Sequence, residues 1–153
     1  NSNIIVTLDG DCQNDPGDIL KLLELYIYNL HENVHLVGGI RKKRKDTLIK
    51  IYSSIIANNI RSFILNDNCQ DTGCGLKIFT RDIFLKLPFF NGIHRFLPAL
   101  FQGLRYKTLF VVVNHRKRVN GISKYGTLNR LLFGIRDIFK VWIIIKNFNK
   151  LPK

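Results

Sequence analysis

The chain alternates between short runs of β-branched residues and longer segments whose apolar residues recur at helical spacing. At the start of the sequence the apolar run Ile4–Leu8 leads into a polar stretch, and from Pro16 onward apolar residues recur three or four positions apart. Further strands are predicted at Val34–Ile40 and Lys107–His115, and further helices at Thr47–Leu65, a proline-interrupted Gly92–Leu104 and Thr127–Leu151. The stretch NDNCQDTGCGLKIFTRDIFLKL is predicted as a turn that leads into a strand and a short helix. Repetition of strand, loop and helix predicts an α/β fold, in which helices cover a sheet.

The composition suits one globular domain that meets an anionic partner. The chain has 153 residues, 46% of them hydrophobic, which is enough for a packed core. Its formal net charge of +13 indicates nucleic acid, a phospholipid surface or a phosphorylated substrate as the partner. The three cysteines are an odd number without Cys-x-x-Cys spacing, which argues against a disulfide framework and a zinc site. No run approaches the roughly 18 apolar residues of a membrane-spanning helix.

The stretch TLDGDCQNDPGDI places several acids directly after the first predicted strand. In an extended chain Asp9 and Asp11 lie on the same side, with Gln13 one step further along it, so their oxygens can reach one hard divalent cation. Such a cation keeps coordination sites for water and for a substrate diphosphate. The other interpretation is that these acids are turn and cap residues. Asp15 and Asp18 are expected to be turn and helix-start residues only.

A second polar stretch, NHRKRVNGISKYG, follows the strand predicted at Lys107–His115. Four cations surround its glycine-containing loop and Ser123; they are Arg116, Lys117, Arg118 and Lys124. Guanidinium forks and backbone N–H groups in such a loop form a cradle for phosphate. The alternative interpretation is a solvated basic loop.

Three further features leave alternatives open. In DTGCGLK, Asp71 is either catalytic or holds its turn by an Asx-type bond. His94 is expected to be a core or surface histidine rather than a base. The apolar segment Thr127–Leu151 carries five interspersed cations, so its helix is part of the core, lies in a membrane interface or pairs with another helix.

Taken in order, these motifs resemble the family 2 glycosyltransferases of the dolichol-phosphate mannose synthase type, which include bacterial polyprenyl-phosphate sugar transferases. The matching stretches are LDGDCQNDPGDI, RKKRKD, DTGCGLKIF, HRFLPAL, HRKRVNGISKYG and NRLLFGIRDIFKVW. They extend from Leu8 to Trp142, nearly the whole chain.

The resemblance implies a GT-A fold, a Rossmann-like α/β domain. It also implies a metal-dependent hexosyltransferase that moves a sugar, with inversion, from a nucleotide diphosphate sugar to a dolichyl or undecaprenyl phosphate. By resemblance, Asp9, Asp11 and Gln13 bind Mg²⁺ or Mn²⁺. The residues implied to contact phosphate groups are Arg41, Arg44, Arg116, Arg118, Ser123 and Lys124. Asp71 is the candidate catalytic residue, which would orient the acceptor or the sugar.

The departure from the family lies at the start of the chain. Roughly eighty to a hundred residues precede the Asp-x-Asp motif in the family, whereas eight precede Asp9 here, and the chain contains no Met. We therefore expect an N-terminally truncated chain. Residues 1–126 would be the C-terminal portion of a GT-A catalytic domain, and residues 127–153 a basic amphipathic helix. Such a piece exposes a sheet edge and is expected to associate with the missing N-terminal half or with further copies of itself.

The expected location is the cytoplasmic face of a membrane, because the lipid substrate and a cationic helix both suit an anionic membrane surface. The chain would bind there peripherally or be anchored by segments outside this sequence. Three other interpretations stay open: a glycosyltransferase with a non-lipid acceptor, a basic nucleic-acid-binding module and a non-catalytic remnant. Nucleic acid is the less favoured partner, because the cations fall in separate loops and most Phe residues lie in apolar runs.

Overall fold

The computed structural model describes residues 2–41, 48–116 and 127–148, with only the backbone described for residues 48–54 and 127–133. Within these ranges one sheet contains the strands β1 (Ile4–Thr7), β2 (Val34–Arg41), β3 (Lys77–Thr80) and β4 (Lys107–Val113). The helices described are α1 (Asp18–Asn29), α2 (Leu48–Leu65), α3 (Arg81–Phe84), α4 (Leu97–Gly103) and α5 (Thr127–Phe148), with 3₁₀ turns at Leu30–Glu32 and Ile93–Arg95. The predicted α/β class is confirmed.

The strand order is β1-β3-β2-β4. The strand β3 runs antiparallel to both β1 and β2, and β4 runs parallel to β2. The carboxyl ends of β1, β2 and β4 therefore lie at the same edge as the amino end of β3, with Thr7 paired to Lys77 and Arg41 paired to Val113. We call this the upper edge. Every loop that carries a predicted site residue within the described ranges starts or ends there.

Helices cover both faces of the sheet, because successive residues of a strand point to opposite sides. One face carries Leu36 and Phe79, which pack with Leu100 and Phe101 of α4 and Val141 of α5. The other face carries Val37 and Ile78, which pack with Leu22 and Tyr26 of α1. All of these side chains are buried, and burial of each contributes roughly 2 kcal/mol to folding.

The segment Gly92–Leu104, predicted as a proline-interrupted helix, is divided at Phe96, two residues before its proline. A 3₁₀ turn at Ile93–Arg95 precedes α4, which begins at Leu97 with Pro98 in its first turn. Proline is tolerated there because the first N–H groups of a helix have no intrahelical partner. The helix is short, and six of its seven residues are buried.

The last helix, α5, contributes to the core along one face. Ile138 and Val141 are buried among the residues of α4 and the sheet, so the core interpretation holds for this face. On the opposite side Ile135, Phe139 and Ile143 are 45 to 56% exposed. Among the described helices, none has the length and apolar character needed to cross a bilayer. The basic amphipathic role of the segment and the domain boundary at residue 126 stay predictions, and residues 149–153 lie outside the described ranges.

Candidate functional site

Four segments meet at the upper edge of the sheet. They are the acidic loop after β1 (residues 8–17), the end of β2 at Arg41, the turn before β3 (residues 71–76) and residues 114–116 after β4. Of the predicted phosphate-binding residues, Arg41 and Arg116 belong to these segments. Arg44, Arg118, Ser123 and Lys124 lie outside the described residues.

Asp9 is held by the turn before β3. Its Oδ2 accepts a hydrogen bond from the backbone N–H of Gly75 at 3.2 Å, and the Thr7 hydroxyl donates to the Gly75 carbonyl at 2.8 Å. A Cβ atom on Gly75 would lie 2.2 Å from Asp9 Oδ1, inside the contact distance of any two atoms. Only glycine therefore allows this approach of backbone to carboxylate.

The acidic loop turns after Asp9 instead of staying extended. The strand ends at Thr7, residues 10 and 11 form a turn, and Cys12 adopts a left-handed conformation with φ of 60°. The premise of an extended chain from Asp9 to Gln13 is therefore wrong, because glycine and aspartate favour turns after a strand. In this turn Asp11 Oδ1 accepts the backbone N–H of Gln13 at 3.2 Å.

The donor set of the predicted metal site consists of two carboxylates and one amide oxygen, all hard ligands that suit Mg²⁺ or Mn²⁺. A backbone N–H orients each carboxylate, that of Gly75 for Asp9 and that of Gln13 for Asp11. The chemistry of these residues fits such an ion. Among the described residues there is no group of three or more His, Cys, Asp or Glu side chains placed to hold a metal, so the set depends on the amide of Gln13.

The acidic loop is joined to the segment after β4. Asn14 and His115 form an isolated antiparallel bridge, and the backbone N–H of Arg116 donates to the Gln13 carbonyl at 2.9 Å. Gln13 Nε2 donates to the Arg116 carbonyl at 3.3 Å, and Arg116 Nη2 lies 2.8 Å from a carboxylate oxygen of Asp15. A hydrogen bond from the Gly17 N–H, and then the Arg116 guanidinium, lower the pKa of Asp15. Gln13, a predicted metal ligand, and Arg116, a predicted phosphate ligand, are thus neighbours.

Asp71 binds Arg41. Its carboxylate accepts hydrogen bonds from Arg41 Nε and Nη2, each at 2.7 Å, and from the Arg41 backbone N–H at 3.2 Å. The backbone also closes this turn, since the Cys74 N–H donates to the Asp71 carbonyl at 3.2 Å. This arrangement allows Asp71 to fix the guanidinium of Arg41 at the upper edge, while the catalytic role of Asp71 stays a prediction.

Sequence reasoning missed Lys77, the first residue of β3. Its side chain is buried, and its ammonium donates to the Cys74 carbonyl. Burial lowers the pKa of Lys77, and nearby negative groups, including Asp9 and Asp71, oppose that shift. The one feature of the sequence that could have indicated Lys77 is its position as a charged residue directly before the apolar residues Ile78 and Phe79.

His94 lies in the 3₁₀ turn Ile93–Arg95 and is exposed, which agrees with the prediction of a core or surface histidine. Its pKa is lowered by desolvation and then by the positive charges of Arg95 and Lys77, while Asp9 acts in the opposite direction.

The comparison with protein-family models matches none of them. Among curated proteins, the chain is 34% identical over 147 residues to the dodecaprenyl-phosphate galacturonate synthase of Rhizobium johnstonii, covering 94% of this chain and 42% of that protein. It is 30% identical over 127 residues to the undecaprenyl-phosphate 4-deoxy-4-formamido-L-arabinose transferase of Shewanella sediminis, covering 83% and 37%. The chain thus spans about two fifths of the length of these relatives.

Comparison with solved structures identifies the fold of this chain. The glucosyl-3-phosphoglycerate synthase of Mycobacterium tuberculosis, in complex with Mn²⁺, UDP-glucose and phosphoglyceric acid, has a TM-score of 0.63 at 15% identity, covering 100% of this chain and 51% of that one. The complex of the same enzyme with phosphoglyceric acid alone has a TM-score of 0.60 at 17% identity. The predicted GT-A fold is confirmed by these neighbours, and the predicted resemblance is confirmed by the curated relatives.

Proposed function

This chain is homologous to part of the polyprenyl-phosphate sugar transferases, and from this premise we propose that it serves a metal-dependent transfer of sugar to a polyprenyl phosphate. The donor is a nucleotide diphosphate sugar, and the transfer inverts the anomeric carbon. The observation that carries the proposal is the meeting of the acidic loop with Arg41 and Arg116 at one edge of the sheet.

On the donor side, Asp9, Asp11 and Gln13 would hold the divalent ion. When bound, Mg²⁺ or Mn²⁺ supplies positive charge that stabilises the leaving diphosphate. The Arg116 guanidinium lies beside this loop, with Nη2 2.8 Å from a carboxylate oxygen of Asp15. In this proposal it adds a second positive charge beside the leaving diphosphate. A preorganised positive charge there lowers the activation barrier of the transfer.

On the acceptor side, a phosphate is already anionic near neutral pH, so its attack requires alignment more than a general base. The hydrogen bonds from Arg41 to the carboxylate of Asp71 fix the guanidinium, which supports this role for Arg41. In this proposal Asp71 acts through Arg41, orienting the acceptor phosphate. The remaining proposed phosphate ligands are Arg44, Arg118, Ser123 and Lys124.

We also propose that α5 attaches the protein peripherally to the cytoplasmic face of a membrane. The exposed face of this helix combines Ile135, Phe139 and Ile143 with exposed cations. Lys146 lies over the ring of Trp142, with Nζ 3.9 Å from the centroid. Apolar side chains beside cations are the pattern that binds an anionic membrane surface.

The deciding experiment is a transfer assay with radiolabelled nucleotide sugars, undecaprenyl phosphate and Mn²⁺ or Mg²⁺. We expect transfer that depends on the metal, and a loss of about a hundredfold for Asp11→Asn, since the variant keeps the shape but removes a ligand charge. Asp82→Asn is the matched control, because the Asp82 side chain is 72% exposed on α3.

Two results would contradict the proposal. Unchanged activity and metal dependence in Asp11→Asn would exclude the metal role of the acidic loop. Transfer to 3-phosphoglycerate but not to undecaprenyl phosphate would instead identify a soluble acceptor.

A further inference from the structure

Asp18, the first residue of α1, is a carboxylate with 1% of its surface exposed. A buried charge is costly unless hydrogen-bond donors replace the lost water. Here the donors are the Asn114 backbone N–H at 2.6 Å, Asn114 Nδ2 at 3.2 Å and Lys21 Nζ at 2.5 Å. The sequence predicts only a helix-start residue at this position, whereas the structure gives Asp18 two bonds to a residue 96 positions away.

These bonds join the two sides of the proposed donor site. Asp18 follows the acidic loop directly, and Asn114 follows β4 and stands two residues before Arg116. The neighbouring contact between Arg116 and Asp15 uses an Arg116 side chain that is 57% exposed, so water and salt weaken it. The hydrogen bonds from Asn114 to Asp18 are made to a buried carboxylate, so water and salt weaken them less.

We propose that Asp18 is a positioning residue that sets the spacing between the acidic loop and Arg116. The inference rests on the proposed function, because that spacing matters only if the metal ion and the guanidinium bind one diphosphate. Displacement of a binding group by about 1 Å is enough to cost roughly a hundredfold in rate. Asp18 itself contacts neither the metal nor the diphosphate in this proposal.

The test is a double-mutant cycle on the full chain, with the binding of pyrophosphate in the presence of Mn²⁺ measured by calorimetry. Asp18→Asn and Arg116→Ala are each expected to weaken pyrophosphate binding about tenfold. The double variant should bind within about twofold of Arg116→Ala alone, because a displaced Arg116 and an absent one have the same effect. Additive losses would overturn the role of Asp18, since general destabilisation is independent of Arg116.

Hydrogen exchange of the Asn114 backbone amide gives a second readout that does not depend on ligand binding. We expect this amide to be protected in the wild type and to exchange at least tenfold faster in Asp18→Asn. Lys21→Ala is the matched control, because it removes the ion pair with Asp18 and leaves the Asn114 bonds in place. Equal exchange in Asp18→Asn and the wild type would overturn the proposal.

The outcomes separate this inference from the function on which it rests. A wild-type chain that binds no pyrophosphate with Mn²⁺ contradicts the proposed donor site, and with it the role of Asp18 there. A wild-type chain that binds pyrophosphate, with additive losses in the cycle, contradicts the positioning role alone.

Discussion

The carboxylate of Asp71 accepts hydrogen bonds from both Nε and Nη2 of Arg41, each at 2.7 Å. The two side chains are only 7% and 15% exposed, so this bidentate pair is largely removed from water. It links the turn before β3 to the end of β2. A charged side chain that is largely buried destabilises the protein when its oppositely charged partner is removed.

Removal of the Asp71 carboxylate should therefore destabilise the protein. Asp71→Ala leaves the Arg41 guanidinium largely buried without this partner, and we expect a loss of about 3 kcal/mol in the free energy of urea unfolding. The control is Asp82→Ala on the exposed pair with Arg81, whose loss should stay within about 0.5 kcal/mol. Equal losses in the two variants would show that the Arg41 pair contributes no more than a surface ion pair.

Gly75→Ala should impair metal binding. The added methyl group would lie 2.2 Å from Asp9 Oδ1, so the carboxylate or the turn must move. We expect Mn²⁺ affinity, measured by calorimetry, to fall at least about tenfold. Gly10→Ala is the control in the same loop, since a Cβ at Gly10 meets nothing within 4 Å and its affinity should change little. Similar affinities for the two variants would argue against Asp9 as a ligand.

Alkylation of the native chain should modify Cys12 and spare the other two thiols. Cys12 is exposed, whereas Cys69 and Cys74 are buried. Burial raises the pKa of Cys69 to about 11 and also raises the pKa of Cys74, which leaves almost no reactive thiolate at pH 8. Mass spectrometry after iodoacetamide treatment should show one modification in buffer and three in urea. Native modification of Cys69 would contradict the placement of its loop.

Acid should weaken the contact between Asp15 and the segment after β4. The pKa of Asp15 is lowered by the Gly17 N–H and by Arg116, so its contribution to stability is present above the ordinary carboxylate pKa of 3.8 and is lost as pH falls through the lower folded value. The melting temperature of Asp15→Asn should accordingly fall less than that of the wild type between pH 5 and pH 2. Parallel curves for the two proteins would mean that Asp15 makes no such contribution.

Substitution on the exposed face of α5 should reduce membrane binding. Phe139→Ser and Ile143→Ser each remove an apolar side chain that is more than half exposed. We expect each to lower co-sedimentation with vesicles containing anionic lipid by about fivefold. Leu20→Ser is the control, because Leu20 is 63% exposed on α1, which covers the other face of the sheet. Binding that is insensitive to α5 substitutions or to anionic lipid would contradict the proposed attachment.

Much of the local structure was predictable from the sequence. The strand predicted at Val34–Ile40 is observed at Val34–Arg41, and the helix predicted at Thr47–Leu65 is observed at Leu48–Leu65. In these segments the apolar residues recur with the period of a helix or a strand. This periodicity involves only residues close together in the sequence, so it can be recognised without the tertiary structure. Element ends were less predictable: β1 stops at Thr7 and β4 at Val113, because turn residues and sheet pairing decide where a strand ends.

Local patterns in the sequence specify which segments become strands and helices, and which of their loops carry acids or cations. The tertiary structure decided which residues meet: Asp71 with Arg41 over 30 positions, Asp9 with Gly75 over 66, and Asp18 with Asn114 over 96. These contacts follow from the strand order β1-β3-β2-β4, which brings four distant loops to one edge. The physical reason is that periodicity reports only whether a side chain faces the core, whereas the pairing of strands is settled by packing across the whole sheet.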